Sequence, residues 1–385
     1  MTVSDDERLA RAALCAIAEP GDALLGRLIA TLGADGALAV VRGGEPLPKA
    51  IPATDAALAR LAAWRTRLEA ADPDVDLSIC ERLGGRLVCP GDPEWPATLD
   101  DLGERRPYAL WLRGSADLRY TCLRSVAIVG ARAASSYGLR IAAELGAELA
   151  AAGWTVVSGG ALGIDAAAHR GVLAADGHTV AVFANGVDRF YPPRNDAIFM
   201  EILDQGLLVS ESPPGTDPNR LRFLVRNRLI AALTKGTVVV EAAARSGALN
   251  TAAHARHLGR ALMAVPGPVD SRSSVGCHKL LREVPSARCV TQVSEVIEEI
   301  GQIGTDLAPI PQGPVLPRDS LDPTTRAVLE AMPARGAAGP AEIAVKAGVD
   351  LPTAGGRLGQ LSAAGFIERA PTGWRLRRPK KDTRS

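Results

Sequence analysis

The chain has 385 residues, of which 47% are hydrophobic and 23% are charged, and its formal net charge is +1 at pH 7. This length and composition predict a soluble globular protein with one large core and one or two small additional domains. The balanced charge excludes a uniformly basic coat for nucleic acid, although a local cluster of basic residues can still bind phosphate. No apolar run approaches the length of a membrane span, and the acidic N-terminus MTVSDDERLARAAL is unlike a secretion signal, so we expect a cytoplasmic protein.

The cysteines and histidines give no sign of a metal site. The six cysteines are scattered without a Cys-x-x-Cys pair, whereas zinc sites and disulfide scaffolds need closely spaced cysteines. We therefore expect isolated buried thiols in a reducing compartment. His254 and His257 lie three residues apart, but no second pair of ligands accompanies them, so neither a metal nor a cofactor is predicted.

The N-terminal region, from about residue 5 to 70, is rich in alanine and leucine with helical periodicity. Pro20-Gly21 and Gly43-Gly44 interrupt this pattern, which indicates several short helices. We assign residues 1–75 to a small helical module. An irregular turn rich in proline, PGDPEWP at 90–96, follows in a bridging segment.

From Ser125 onwards, short β-branched runs alternate with alanine-rich helical stretches. Strands that are apolar throughout and alternate with helices predict a parallel sheet covered on both faces, which is a doubly wound α/β fold. We assign residues 76–300 to this extended Rossmann-like domain, and such sheets bind ligands beyond the carboxyl ends of their strands. The strands are predicted at 126–129, 155–157, 179–183, 207–209, 237–240 and 262–265, with helices at 138–152, 165–175 and 249–258.

The C-terminal region begins with a proline-rich run, TDLAPIPQGPVLP, which predicts a linker over residues 301–318. Beyond it we expect a winged-helix domain over 319–385, with a basic tail at 375–384 that is suited to non-specific phosphate binding. The third of its helices carries three glycines and only one charged residue, Arg357, whereas base reading needs several side chains in a groove. We therefore expect a structural or protein-contact role for this domain, with duplex binding as the alternative. Its helices are predicted at 321–332, 340–347 and 352–364, and its hairpin strands at 367–369 and 374–376.

Three glycine-containing loops follow the first three predicted strands, at 130–136, 158–165 and 185–188. Glycine lets backbone N–H groups approach an anion, and the following helix adds its positive end. Arg132 adds a planar donor that is always charged. The sequence has no Gly-x-Gly-x-x-Gly motif and no Gly-Lys dipeptide, which excludes a Walker A loop. Because the loops converge at one edge of the sheet, we expect them to form a phosphate-binding surface.

The second of these loops leads into Asp165 and His169, which share a face of the predicted helix. Asp165 stands where the helix should begin, and a carboxylate there satisfies free backbone N–H groups. A catalytic Asp–His pair is the alternative, but it requires a nucleophile, and Ser158 does not stand in a nucleophile elbow. We expect Asp165 to cap the helix and His169 to pack behind it.

The richest basic run, RLRFLVRNR at 220–228, holds four arginines and Phe223 without an intervening acid. Guanidinium groups that meet phosphates, beside a ring that stacks on a base, suit a groove for a single strand. A solvated helix face is the alternative. A second segment, YPPRN at 191–195, again combines an arginine with aromatic residues, and nearby Phe199 fits either a stacking platform or the core.

Seven segments in the order found here resemble the DNA-processing protein A family, also called DprA or Smf. They span about residues 125–281, and the helical module, linker and winged helix are similar to that family's three-part layout, in which the first module is of the SAM-like or helix-hairpin-helix-like type. The segments are VGARAASSYG, SGGALGIDAAAH, ANGVDRFYPPRN, SESPPGT, RNRLIAALT, VVVEAAARSGALNTA and AVPG.

This resemblance implies a non-catalytic DNA-binding protein. Members of the family hold single-stranded DNA in the Rossmann-like domain, protect incoming DNA, associate as homodimers through that domain, and load the RecA recombinase during natural transformation. Phe199 matches a position where an aromatic ring stacks on a base. The DNA-binding residues implied in this chain are Gly130, Arg132, Ser158, Gly159, Gly160, Gly163, Arg194, Asn195, Phe199, Arg226, Asn227 and Arg228.

The chain departs from the family pattern at several positions. Ala131 replaces the usual serine, and Asp196 stands where relatives often carry lysine, with Arg194 available to compensate. Leu224-Val225 replaces a proline-containing approach to the RNR motif, and the turn at 19–22 is a poor version of the GIG hairpin that grips a DNA backbone. These differences alter individual contacts and leave the family assignment unchanged.

Two other functions can be weighed against DNA binding. A Rossmann-like hydrolase that cleaves nucleoside monophosphates typically carries a PGGxGT loop, but the matching place here reads EAAARSG at 241–247. A winged-helix transcription factor with a sensory Rossmann-like domain conflicts with the weakly charged third helix. A preference for single strands over duplex discriminates DNA binding of the proposed kind from both alternatives.

Overall fold

The computed structural model describes residues 3–301 and 317–377 of the chain. Met1–Ala308 form one compact unit and Pro309–Ser385 form a second. The predicted linker lies mostly outside the described residues, and so does the basic tail from residue 378 onwards. The domain limits predicted at residues 75, 300 and 318 stay predictions.

Four helices form the N-terminal part of the first unit. Each begins after a residue whose side chain accepts a hydrogen bond from a backbone N–H of the first turn, which fixes where the helix starts. Their buried faces share one hydrophobic cluster with Trp111 and Phe199, so they pack against the sheet domain. The helices are α1 (Asp5–Ile17), α2 (Ala23–Arg42), α3 (Asp55–Leu68) and α4 (Pro73–Arg82), capped by Ser4, Asp22, Thr54 and Asp72.

Helix α2 is the longest apolar helix of the described residues, and it departs from the expectation that no apolar run approaches a membrane span. It has 20 residues and a mean hydropathy of 1.6, so its length and composition would suffice to cross a membrane. Half of this stretch is buried inside the protein, and Gly33, at φ 74°, breaks the helical backbone midway. Such burial is typical of a core helix. The cytoplasmic location stays a prediction.

The first unit is built on a nine-stranded sheet with the order β1-β2-β6-β5-β4-β3-β7-β8-β9. Strands β3 to β9 run parallel, while β1 and β2 are antiparallel additions at one edge. All six predicted strands are confirmed to within one residue at each end. The strands are β1 (Gly85–Val88), β2 (Leu110–Arg113), β3 (Ser125–Val129), β4 (Thr155–Ser158), β5 (Thr179–Val182), β6 (Leu207–Ser210), β7 (Gly236–Val239), β8 (Ala261–Ala264) and β9 (Ala287–Cys289).

Helices cover both faces of this sheet. Along β3, Val126 and Ile128 pack with the helices of one face, and Ala127 and Val129 pack with those of the other. This alternation confirms the predicted doubly wound fold. The helices are α5 (Leu118–Leu123), α6 (Ser136–Ala151), α7 (Ile164–Ala174), α8 (Asp196–Gln205), α9 (Arg220–Ala232), α10 (Gly247–His257), α11 (Val275–Glu283) and α12 (Val293–Ile300).

The strand order places a crevice at the carboxyl ends of β3 and β7. From β3 the chain moves outward through β4, β5 and β6, and it then returns to add β7, β8 and β9 on the other side of β3. Neighbouring strands whose connections leave in opposite directions form a switch point, where open α/β sheets bind their ligands. The fold therefore indicates a ligand-binding site at the loops after β3 and β7.

The cysteines confirm the expectation of isolated buried thiols at five of six positions. All six are free, and Cys289 is exposed. This cysteine lies on the short edge strand β9, whose outer side has no neighbouring strand in the described sheet. An edge position explains why this thiol differs from the others.

The second unit contains three helices and a two-stranded antiparallel hairpin, as predicted for a winged helix. Its core is formed by Val328, Ile343, Leu358 and Leu361. Arg357 lies 3.5 Å from Asp322 and also donates to Gln360, so its charge is balanced within the unit. The elements are α13 (Pro323–Glu330), α14 (Pro340–Ala347), α15 (Leu351–Ala363), β10 (Ile367–Ala370) and β11 (Gly373–Leu376).

Candidate functional site

A cleft of about 1040 Å³ opens at the carboxyl ends of the parallel strands, over the switch point between β3 and β7. The loops after β3, β4, β5, β6, β7 and β8 all contribute to its walls, the one after β5 through Tyr191, together with α9. Asp165 is the single carboxylate among the described residues that line it. The arginines that line it are Arg132, Arg220, Arg226, Arg245 and Arg272.

Four of these arginines, all except Arg226, are exposed. Within residues 3–301 and 317–377, none of the four lies within ion-pair distance of a carboxylate. Arginine presents a fixed fork of N–H donors that matches phosphate oxygens. The cleft therefore combines uncompensated positive charge with donors for an anionic ligand.

The basic run at 220–228 is divided between two environments. Arg220 and Arg226 line the cleft, whereas Arg222 pairs with Glu19 at 2.9 Å and Arg228 pairs with Glu211 at 2.6 Å. The absence of acids within the run suggested four free arginines. That inference is wrong for two of them, because their partners come from distant parts of the chain.

Arg226 is the buried charge of the cleft, with 6% of its surface exposed. Its guanidinium donates to the carbonyl of Gly159 at 2.6 Å and to that of Val182, and its Nε donates to Asn227. Burial lowers the pKa of Arg226 to about 10, an effect that the negative charge of Asp165 opposes. The side chain thus stays protonated at neutral pH in a fixed position.

The glycine loop after β4 supports Arg226 from behind. A Cβ atom on Gly159 would collide with the guanidinium, so only glycine allows this close approach. The carboxylate of Asp165 accepts from the backbone N–H of Gly159 at 3.1 Å and from that of Ala161 at 3.4 Å. The N–H of Gly159 is thus already bonded, and the loop reaches the cleft through Ala161 and Asp165.

The expected cap at the start of α7 is wrong in detail. Gly163 occupies the N-cap position and Asp165 is the second residue of the helix, so its carboxylate turns back to the loop. Burial raises the pKa of Asp165, while the charge of Arg226 and the loop N–H groups oppose that rise. The carboxylate organises the loop on which Arg226 rests.

His169 is fully buried, which confirms the expected packing role. Its Nδ1 lies 2.7 Å from the hydroxyl of Thr179, and that hydroxyl donates its own hydrogen to the carbonyl of Val156. Nδ1 must therefore be the donor, which leaves Nε2 as an unprotonated nitrogen without a partner in the described structure. Burial lowers the pKa of His169 to about 3, and the charge of Arg226 contributes.

Eleven of the twelve residues implied as DNA-binding fall into three groups in the structure, and the twelfth, Phe199, lies in the core. Gly130, Arg132, Arg226 and Asn227 line the cleft. A second group lies behind the cleft, where it holds the loops in place. This second group comprises Ser158, Gly159, Gly160, Gly163 and Asn195. The third group lies away from the cleft: Arg194 is exposed outside its described lining, and Arg228 is buried against Glu211.

The second group acts through hydrogen bonds and close packing. Ser158 donates to the carbonyl of Ile128 at 2.6 Å, and Asn195 donates to the carbonyl of Gly160 at 2.9 Å. Gly163 has a φ of 83°, and any side chain there would strike the carbonyls of the loop after β3. These residues hold the loops around the cleft without lining it.

Phe199 does not occupy the place that the resemblance implied. Its ring is 0% exposed and packs edge-on against Phe183 at 4.9 Å, with Phe190 at 5.6 Å. A ring buried on all sides has no face to offer a base. The alternative, a place in the core, is what the structure shows.

Two other aromatic residues, Tyr191 and Phe223, line the cleft. Their ring centroids are 5.7 Å apart, and 40% of Tyr191 is exposed. The guanidinium of Arg132 lies 5.0 Å from the centroid of Phe223, and that of Arg226 lies 5.7 Å from it. These distances are within the range of cation–π contact, so Phe223 holds two of the arginines in place.

Arg245 and Arg272 also line the cleft, although no local motif in the sequence marks them. Each follows a correctly predicted strand, β7 or β8, just as Arg132 follows β3. Their position after a strand is the feature of the sequence that could have identified them as cleft residues. The described residues contain no group of three His, Cys, Asp or Glu side chains arranged to hold a metal ion.

Comparison with known proteins identifies the family. The chain belongs to the DNA recombination-mediator protein A family, whose model matches residues 86–301. It is 43% identical to the DNA processing protein DprA of Mycobacterium tuberculosis H37Rv over 384 residues, which cover 97% of this chain and 95% of that protein. Protein Smf of Escherichia coli K12 is 36% identical over 276 residues, 71% of this chain and 72% of that one.

A solved structure agrees with the sequence comparison. DNA processing protein A from Streptococcus pneumoniae superposes with a TM-score of 0.60 at 29% identity, and the match covers 78% of this chain and 100% of that one. The family predicted from the sequence motifs is confirmed.

Proposed function

We propose that the cleft over the switch point binds single-stranded DNA. The observation that carries this proposal is a cleft lined by five arginines and one carboxylate, in which four of the arginines are exposed and unpaired within the described residues. Clustered arginines bind the phosphate backbone, and aromatic rings beside them accept unpaired bases. In a duplex the bases are already stacked on one another, so that second contact favours single strands.

Fluorescence anisotropy with labelled single-stranded and duplex oligonucleotides tests the proposal across a salt series. We expect single strands to bind more tightly than duplex, with an affinity that falls linearly in log–log form as salt increases. Equal affinity for the two forms would contradict the proposal. Nucleoside monophosphates would then be assayed as substrates of the hydrolase alternative.

The arginines that the sequence analysis did not select give a sharp test of the cleft. We expect Arg245→Ala or Arg272→Ala to weaken single-strand binding and to reduce the salt slope by roughly 0.7 for each phosphate that the variant no longer neutralises. Arg256→Ala is the matched control, because Arg256 is exposed on α10 and does not line the cleft. Equal effects of all three substitutions would mean that general surface charge, and not the cleft, binds the strand.

The geometry of Asp165 favours binding over hydrolysis. A hydrolase needs a carboxylate or another base that can reach a water molecule beside its substrate. Asp165 is the carboxylate that lines the cleft, and it accepts hydrogen bonds from two loop N–H groups. It is held as a structural acceptor. A nucleoside monophosphate hydrolysis assay in which Asp165→Asn abolishes turnover would overturn this assignment.

Family membership supports a wider role for the bound strand. We propose that the protein acts in the cytoplasm as a homodimer formed through the Rossmann-like domain, protects incoming single-stranded DNA, and loads RecA onto it during natural transformation. Light scattering measures the dimer, and nuclease digestion of a bound oligonucleotide measures protection. RecA nucleation on DNA covered by a single-strand-binding protein should accelerate with the native chain and not with Arg132→Ala.

A further inference from the structure

We propose that a base of the bound strand stacks on Tyr191, and that Phe223 behind it positions Arg132 and Arg226 for the adjoining phosphates. The inference rests on the proposed function of the cleft as a single-strand site. It assigns stacking to a different residue from Phe199, whose ring is enclosed in the core.

Tyr191 meets the requirements of a stacking platform. Aromatic residues make up 4% of the chain, and among the described ones only Tyr120 and Tyr191 are exposed large side chains. Tyr120 lies on α5, outside the lining of the cleft, whereas Tyr191 lines it. An exposed ring beside unpaired arginines offers a flat apolar face where a nucleic-acid strand would pass.

Phe223 connects this ring to the charges of the cleft. It is half-buried, tilted by 44° against Tyr191, and in cation–π range of both Arg132 and Arg226. A guanidinium that packs on a ring with its flat face keeps N–H groups at its edge available for phosphate oxygens. For Arg226 these are the N–H groups of Nη2, because its Nε and Nη1 already donate within the protein. One base contact and two phosphate contacts thus share a single aromatic support.

The two aromatic residues should therefore differ in what they recognise. Tyr191 contacts the base, so its contribution depends on the presence of bases in the ligand. Phe223 acts through the arginines and is a positioning residue, so its contribution concerns the phosphates and persists in a ligand that lacks bases. This difference makes the assignment testable by comparing single variants on two ligands, one with bases and one without.

The test compares an oligothymidylate with an abasic oligonucleotide of the same length, which keeps every phosphate and lacks every base. We expect Tyr191→Ala to weaken oligothymidylate binding on the order of tenfold and abasic binding less than about twofold, and Tyr191→Phe to retain native binding of both. Phe223→Leu should weaken binding of both ligands and reduce the salt slope. Tyr120→Ala, the matched exposed tyrosine, should change neither affinity.

Fluorescence of 2-aminopurine in the strand gives a second readout at saturating protein. Stacking quenches this base, so the native chain and Tyr191→Phe should quench it and Tyr191→Ala should not. Equal weakening of binding to both oligonucleotides with unchanged quenching would overturn the role of Tyr191. If the native chain binds neither oligonucleotide, the proposed function itself fails, which is a distinct result.

Discussion

His169 provides a prediction whose magnitude follows from the structure. Its ring is fully buried, Nδ1 donates to Thr179, and Nε2 has no partner in the described structure, so a proton on Nε2 would place an uncompensated charge in the core. The pKa falls from 6.5 to about 3, and one pKa unit corresponds to about 1.4 kcal/mol. The folded chain therefore favours the neutral ring over the protonated one.

The sign of the effect follows from proton binding. Below pH 6.5 the unfolded chain takes up a proton that the folded chain does not, so the free energy of unfolding should fall as the pH drops from 6.5 towards about 3. At pH 5 the loss from this one group is about 2 kcal/mol, and the full loss is about 5 kcal/mol.

Urea unfolding at pH 7 and pH 5 measures this contribution. His169→Asn keeps a donor near the position of Nδ1 and cannot titrate, so the variant should be less stable at pH 7 and lose about 2 kcal/mol less than the native chain on acidification. His178→Asn, which removes an exposed histidine, is the matched control. The reasoning is refuted if His169→Asn responds to acid as the native chain does.

Two further predictions concern charges that the sequence places far apart. Glu211→Ala leaves the guanidinium of Arg228 buried without its carboxylate and should cost about 3–5 kcal/mol in urea unfolding. Replacing both partners, Glu211→Leu with Arg228→Met, should recover most of that stability. If Glu211→Ala is as stable as the native chain, the pair is not buried in solution. Asp165→Asn keeps one acceptor for the loop, so the free energy of unfolding should fall by about 1–3 kcal/mol while the affinity for single-stranded DNA falls only severalfold. An unchanged thermal midpoint would contradict this structural role of Asp165.

The sheet could be predicted from the sequence where strands are buried on both faces. Strands β3 to β8 are largely apolar runs that alternate with helical stretches. This pattern is typical of a parallel sheet that is buried on both faces, and it predicts the position of each of these strands. Strands β1, β2 and β9 were not predicted. β1 and β9 lie at the edges and are only partly buried, so they carry no comparable pattern. β2 is a mostly buried apolar strand, but it stands before the alternation of strands and helices that begins at Ser125.

The site could be predicted in part for a related reason. Arg132 and Arg226 lie in a glycine loop and a basic run, both of which are visible locally, and both line the cleft. Arg245 and Arg272 are isolated in their segments, and only the return of the chain to β7 and β8 brings them to the same cleft. The burial of Phe199 likewise depends on packing with Phe183 and Phe190, which come from other segments of the chain and which no local pattern reveals.

The four arginines of helix α9 lie on two sides of the helix, and only those on one side are paired with carboxylates. On the side that meets Glu19 and Glu211, the guanidinium groups form neutral pairs, and on the side of the cleft they do not. Since charges are screened beyond about 8 Å at physiological ionic strength, the positive potential of α9 is confined to its cleft side, where Arg132, Arg245 and Arg272 add their charges. In a chain with a net charge of +1, this local field, and not long-range attraction, would determine where the proposed DNA strand first makes contact.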